Sequence, residues 1–247
     1  MKRTLALAFV LLMAMPVVAD ELQDVLDKHY EAMGGLEKIK SIQSAKLTGK
    51  MSMQGMELPL TVLSKRPRMA RIEFSVQGMT GIQATDGETA WSVMPFMGKP
   101  DAEAMPEDEA ADLNEQADME GPLVDWKEKG YQLALMGKED VEGTSCYKIK
   151  VVRKDGKESY AYLDDEYYLQ IRNESKRQMQ GTEVETVTNF GDFKKVDGLM
   201  MAHVMDSGIK GTDMMQTLTL ETVEFGVELD DSVFAMPVAA EAPAAEK

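Results

Sequence analysis

The stretch Ala45-Lys46-Leu47-Thr48-Gly49-Lys50-Met51-Ser52-Met53 places apolar or small residues at every second position, with Lys, Thr or Ser between them. A strand with one buried and one wetted face requires that period of two. The alternation returns over 58–64, 69–76, 79–85, 88–94, 131–137, 145–153, 158–163, 167–178, 182–190, 199–206 and 214–225. Most of these runs are joined by turn signals: Gln54-Gly55, Asp86-Gly87, Asp155-Gly156, Asp164-Asp165, Asp197-Gly198 and Lys210-Gly211. Connections this short join antiparallel neighbours. Upstream, Leu22, Val25, Leu26, His29 and Met33 and then Leu36 and Ile39 follow helical spacing, with Gly34-Gly35 suited to the stop between a long helix and a short one.

Two segments break the rhythm. Within 100–130, Pro106 to Met119 is acidic and helix-compatible, and Pro122 to Gly130 has room for a further helical turn around Trp126. The tail 238–247 is rich in Ala, Glu and Pro, has no large apolar anchor beyond Val238, and reads as disordered. The fold expected is mainly β (α+β): one large, curved antiparallel sheet of about 11–12 strands. It forms an open half-barrel with helices covering the concave face. Residues 20–237 read as a single domain, with no internal repeat.

The first nineteen residues read as an address. Lys2 and Arg3 precede an apolar run from Leu5 to Met15, and Pro16-Val17-Val18-Ala19 offers a cleavage site before Asp20. The expectation is a secretory signal peptide cleaved after Ala19 and a periplasmic product. The apolar run is too short to span a hydrocarbon core of about 30 Å, so no stable membrane insertion is expected. Forty-three Asp and Glu against 27 Lys and Arg leave a net charge of −16, which repels phosphate backbones, and no nucleic acid partner is expected. The single Cys146 excludes an intrachain disulfide, and His29 and His203 lie far apart with no zinc-type spacing.

A curled sheet needs its inner face filled. Alternation offers Leu47, Met51, Met53, Leu60, Val62, Ile72, Phe74, Ile82, Trp91, Val93, Leu218 and Leu220 as inward residues, with Met201 and Met205 beside them. Unbranched thioethers either fill an irregular core or line a surface that adapts to varied apolar partners.

Residues 64–74 read Ser-Lys-Arg-Pro-Arg-Met-Ala-Arg-Ile-Glu-Phe, and 85–99 read Thr-Asp-Gly-Glu-Thr-Ala-Trp-Ser-Val-Met-Pro-Phe-Met-Gly-Lys. A Lys-Arg-Pro lead into one strand, followed about twenty residues later by a Thr-Asp-Gly hairpin, a Trp and a Pro-Phe, resembles the LolA-type carriers that sort lipoproteins to the outer membrane. The closing Asp231-Ser232-Val233-Phe234-Ala235-Met236-Pro237 is similar to that family's Phe-x-x-Pro end. The resemblance implies an incomplete barrel whose apolar interior, lidded by helices, holds acyl chains. It implies a cargo of acylated lipoprotein or lipid, and membrane-anchored donor and acceptor proteins as partners. Arg66 matches the family Arg that holds the helical lid closed; read by itself it is an ordinary strand-edge Arg. Two positions depart from the pattern: Ala70 stands where the family has an aromatic, and the acidic 101–120 insertion is long.

The parts of an enzyme do not assemble. Ser145-Cys146-Tyr147 lacks a nucleophile-elbow context, and alternation sets Cys146 opposite Tyr147, Ile149 and Val151, toward solvent. Asp164-Asp165-Glu166 reads as a solvated turn, Asp86-Gly87 as a hairpin and His29 as a packed histidine. No phosphate loop, Rossmann glycine set or other cofactor motif is visible, so neither catalysis nor a cofactor is expected. The carrier is the leading expectation, and a lipid-sensing interaction module on the same fold is the alternative.

Overall fold

The computed structural model describes residues 16–237 apart from Gln54, Gln180 and Gly181. Two helices, α1 (Pro16–Ala32) and α2 (Leu36–Ser41), precede β1 (Ser44–Met53), β2 (Met56–Lys65), β3 (Met69–Val76), β4 (Met79–Thr85), β5 (Ala90–Met94) and β6 (Lys99–Ala104). After α3 (Glu107–Gln116) come β7 (Gln132–Val141), β8 (Thr144–Val152), β9 (Glu158–Asp164), β10 (Gln170–Met179), β11 (Thr182–Val196), β12 (Leu199–Ile209) and β13 (Met215–Phe225). All thirteen strands form one sheet in the order β6-β5-β4-β3-β2-β1-β13-β12-β11-β10-β9-β8-β7. Two meanders are therefore spliced along the β1–β13 ladder. The outer edges are β6 and β7, which do not pair with each other, so the wall is an open half-barrel.

The expected meander is present with one strand more than alternation counted. Lys99–Ala104 pairs with β5 through Trp91–Ala104 and Ser92–Glu103. Its side chains are mostly exposed at a sheet edge, so nothing obliges them to alternate, and the sequence reading placed them in the acidic insert. The helix break falls where Gly34-Gly35 predicts. Gly34 has φ of +112°, and a side chain there would meet the carbonyl oxygen of Gly198, so the corner sits directly on the β11–β12 turn. The Met200 amide donates to the Met33 carbonyl at 3.0 Å and fixes that seat. In β1, Gly49 is buried at a bulge, where a Cβ would meet the Thr219 carbonyl oxygen. Bulges of this kind bend the sheet at its splice.

The main core lies at the β7–β9 end of the concave face. There Leu22, Val25, Leu26 and Tyr30 of α1 pack with Ile149, Val151, Ala161 and Leu163, and Leu123 and Val124 of the insert complete the cluster. At the other end α3 lies over β3, β4 and β5, with Leu113 buried and Asn114 Oδ1 accepting from Thr85 Oγ1 at 2.7 Å. Ala70 is the cross-strand partner of Thr85 beneath this helix and is itself buried, a position where an aromatic ring would compete with α3 for space. The convex face buries apolar side chains in two places, a cluster of Val141, Cys146 and Tyr162 and the site where the closing segment crosses. Trp91 Nε1 donates to the Phe234 carbonyl at 2.8 Å, Arg71 donates to the Val233 carbonyl at 2.9 Å, and the Phe234 ring is fully buried. The proposed signal sequence lies largely outside the described residues, and the Ala19–Asp20 junction falls within α1; the tail 238–247 lies outside them altogether. Among the described residues no helix is long and apolar enough to cross a membrane.

Candidate functional site: an apolar trough and its polar clasp

The ladders align side chains into apolar rows across the concave face. One row runs Phe190, Met205, Leu218, Met51 and Leu58 across β11, β12, β13, β1 and β2. A second runs Phe74, Leu60, Gly49 and Leu220, and a third Ile72, Val62, Leu47 and Val223. Leu58, Leu60 and Leu220 are buried, whereas Leu47, Met51, Val62, Ile72, Phe74 and Leu218 remain half-buried and Met53 is exposed. The floor between α1 and α3 is thus apolar and incompletely covered. Above Gly81, the rings of Phe74 and Phe96 pack at 5.8 Å between centroids, filling the space a side chain at 81 would take.

Three of the expected inward residues face the other way. Ile82 pairs with Glu73 and Val93, and Trp91 pairs with Ala84, which is opposite Arg71; all of these belong to the convex face. The pattern misleads because β4 and β5 are covered on both sides. The concave side of β5 carries the small Ala90 and Ser92 near α3, while the bulky Trp91 lies beneath the closing segment. Phe190, Leu58 and Val223 are trough residues that reading by alternation left out, although each lies in a run of the right period.

Arg66, in the β2–β3 connection, joins three parts of the chain. Its Nε donates to the Ile42 carbonyl at 2.7 Å and a terminal nitrogen to the Ile39 carbonyl at 3.3 Å, both at the end of α2. The same terminal nitrogen pairs with Glu120 Oε1 at 2.6 Å. The Glu120 side chain is only 6% exposed and also faces Lys129 at 3.5 Å; Lys129 in turn pairs with Asp118 at 2.6 Å and donates to the Gly121 carbonyl at 2.8 Å. Lys40 of α2 reaches Asp125 at 2.6 Å. Tyr30 Oη donates to the Leu123 carbonyl at 2.6 Å, and burial pushes this phenol up to about 12. The 118–130 part of the insert is therefore tied to α1, α2 and the β2–β3 turn. A fork of five donors is suited to holding carbonyls and a carboxylate together. Glu120 was not singled out in the sequence, since it is one carboxylate among many in an acidic stretch.

The remaining candidates are structural. His29 is buried on α1 with Nδ1 2.7 Å from the Tyr168 carbonyl oxygen, and burial lowers its pKa. Cys146 does lie on the face opposite Tyr147, Ile149 and Val151, yet it is not at solvent. It is fully buried with Val141 and Tyr162, and burial raises the thiol to about 11. Asp164 accepts from the Glu166 and Tyr167 amides at 2.8 and 2.6 Å, and Asp86 from the Glu88 and Thr89 amides at 2.9 and 2.7 Å, so both are turn residues. Two grooves lie elsewhere. One of about 480 Å³ is bounded by Lys38, Ile42, Asp197 and Phe225; the other, of about 230 Å³, lies among Lys148, Tyr160, Glu174 and Lys210 on the convex face.

No family model matches the sequence, and no curated protein matches it closely. Solved structures do match. A DUF1329 family protein from Desulfovibrio piger superposes with a TM-score of 0.61 at 15% identity, covering 87% of this chain and 97% of its own. A LolA superfamily protein from Nitrosomonas europaea gives 0.59 at 12% identity with the same coverage. An outer membrane lipoprotein-sorting protein domain from Vibrio parahaemolyticus gives 0.57 at 13% identity, again covering 87% and 97%. The chain has a LolA-like fold.

Proposed function

We propose that the protein is a periplasmic carrier that receives acyl chains of lipoproteins or lipids along the concave apolar rows and ferries them toward the outer membrane. The observation that carries this reading is the continuity of Phe190, Met205, Leu218, Met51 and Leu58 across five strands, on a face that the helices leave partly open. A chain of some twelve methylenes gains on the order of 10 kcal/mol on leaving water, which a surface of this kind can supply. Delivery requires that the empty carrier satisfy itself. In this reading Arg66 is the latch of the lid: its bonds to α2 and Glu120 hold the insert against the trough, and the cargo's differential affinity for the open state releases them. The partners are then an acylated cargo and membrane-anchored donor and acceptor proteins. The test is extraction of co-purified lipid with mass spectrometry, together with displacement of a fluorescent acyl probe. Stoichiometric lipid or saturable probe uptake is expected; absence of both overturns the reading.

A further inference from the structure

Among the described residues, the exposed large apolar side chains are Met53, Met56, Met79, Met97, Met136, Tyr167 and Met214. Five of them gather at one end of the sheet. Met53 and Met56 flank the β1–β2 turn, Met79 begins β4 after the β3–β4 turn, Met97 lies in the β5–β6 turn and Met214 in the β12–β13 turn. Antiparallel order puts all four turns at the same end, and they are consecutive along the wall. Met56, Met97 and Met214 are 50%, 69% and 59% exposed.

These four turns are also nearly free of charge. Residues 53–56, 76–79 and 94–98 contain no Asp, Glu, Lys or Arg, and 209–215 contains Lys210 and Asp213, which cancel, in a chain that is 28% charged. The opposite end differs: its turns carry Lys65, Arg66 and Arg68, Asp86 and Glu88, and Asp164, Asp165 and Glu166. Farther along the methionine end the β8–β9 turn carries Arg153, Lys154, Asp155 and Lys157, so the neutral, methionine-tipped part of that rim is the stretch from the β5–β6 turn to the β12–β13 turn, and the Arg66 clasp lies at the opposite, charged end.

We propose that the methionine rim is a docking surface for a neutral, zwitterionic lipid–water interface, with the tips entering between head groups. Three features favour lipid over a protein partner. Adjacent hairpin tips stand about 10 Å apart, so the side chains form separate teeth rather than the packed centre of a protein interface. The teeth are thioethers, which conform to a fluid surface, and none of these turns carries the Trp, Tyr or Arg that dominates protein hot spots. The net charge of −16 disfavours anionic bilayers, while the four turns meet a neutral one with a single carboxylate, Asp213, offset by Lys210 in the same turn. The first trough row begins beside this rim, with Met51 and Leu58 next to the β1–β2 turn, so a hydrocarbon passing inward meets no charged tip. That route rests on the carrier reading, but the docking does not.

The test is flotation of the full chain with pure phosphatidylcholine vesicles. The parent protein is expected to float equally at low and high salt. The quadruple variants Met56→Glu, Met79→Glu, Met97→Glu, Met214→Glu and Met56→Gln, Met79→Gln, Met97→Gln, Met214→Gln are each expected to lose about tenfold or more of that binding, with parental circular dichroism. Flotation that requires anionic lipid and vanishes in high salt overturns the proposal, as does a Gln variant that floats like the parent. A parent that does not float but self-associates through these methionines makes the rim a protein contact and also overturns it. Acyl-probe uptake in vesicle-free solution separates the two readings: a parent that floats and takes up no probe sustains the rim and removes the carrier.

Discussion

At His29 the ring is sealed between α1 and the Tyr168 carbonyl, and burial holds its pKa below the ordinary 6.5. The unfolded chain therefore takes the proton more readily than the folded one, so this group's contribution is complete above pH 6.5 and is lost as pH falls through and below that value. Thermal melts should drop on going from about pH 7 to about pH 5, and His29→Gln should flatten part of that slope; an unchanged slope removes the assignment. At Cys146 burial keeps the thiol protonated, with its pKa at about 11. Iodoacetamide at about pH 8 should label it only at the rate at which the surrounding strands open, and immediately in denaturant. The protonated thiol and its burial also make this residue a poor nucleophile.

Among the elements, the clasp over the trough joins residues from distant parts of the sequence. Glu120→Gln keeps the Arg66 bonds to α2 but removes the carboxylate shared by Arg66 and Lys129. Hydrogen exchange across 118–130 should accelerate, corresponding to about 1–2 kcal/mol of local opening, given the partial exposure of Arg66. Arg66→Leu should impair delivery of a bound acyl chain more than it lowers the urea midpoint; normal delivery refutes the latch. Gly49→Ala forces a methyl group against the Thr219 carbonyl at the splice of the two meanders and should cost about 2 kcal/mol in urea denaturation. The hairpins were legible because Asp-Gly and Gln-Gly turns separate runs of constant period, and the α1–α2 corner because Gly34-Gly35 interrupts a helical stripe. The facing of β4 and β5 was not. Period two says which residues share a face but not which face is concave, and Trp91 and Val93 outweigh the Ala90 and Ser92 that actually lie there. Nor does the sequence pair Arg66 with one carboxylate of an acidic insert 54 positions away; only the fold makes that choice.

Over the whole molecule, the apolar rows lie between the charged end that bears the Arg66 clasp and an end whose stretch from the β5–β6 turn to the β12–β13 turn is neutral and methionine-tipped. If those rows hold hydrocarbon, Leu218→Asn, a half-buried site in the middle of the longest row, should weaken a fluorescent acyl probe about tenfold while leaving the far-ultraviolet spectrum intact. Equal affinity would move the site elsewhere. The gap between β6 and β7 has a mechanical meaning as well. No rung crosses it, and residues 105–131 bridge the two lips as a tether. The bore consequently has no fixed circumference: the staves can spread or draw together about the β1–β13 spine without breaking a ladder bond, and what resists that movement is the seating of the 105–131 segment, through α3 on one half and Leu123 and Val124 on the other, rather than the strength of the wall.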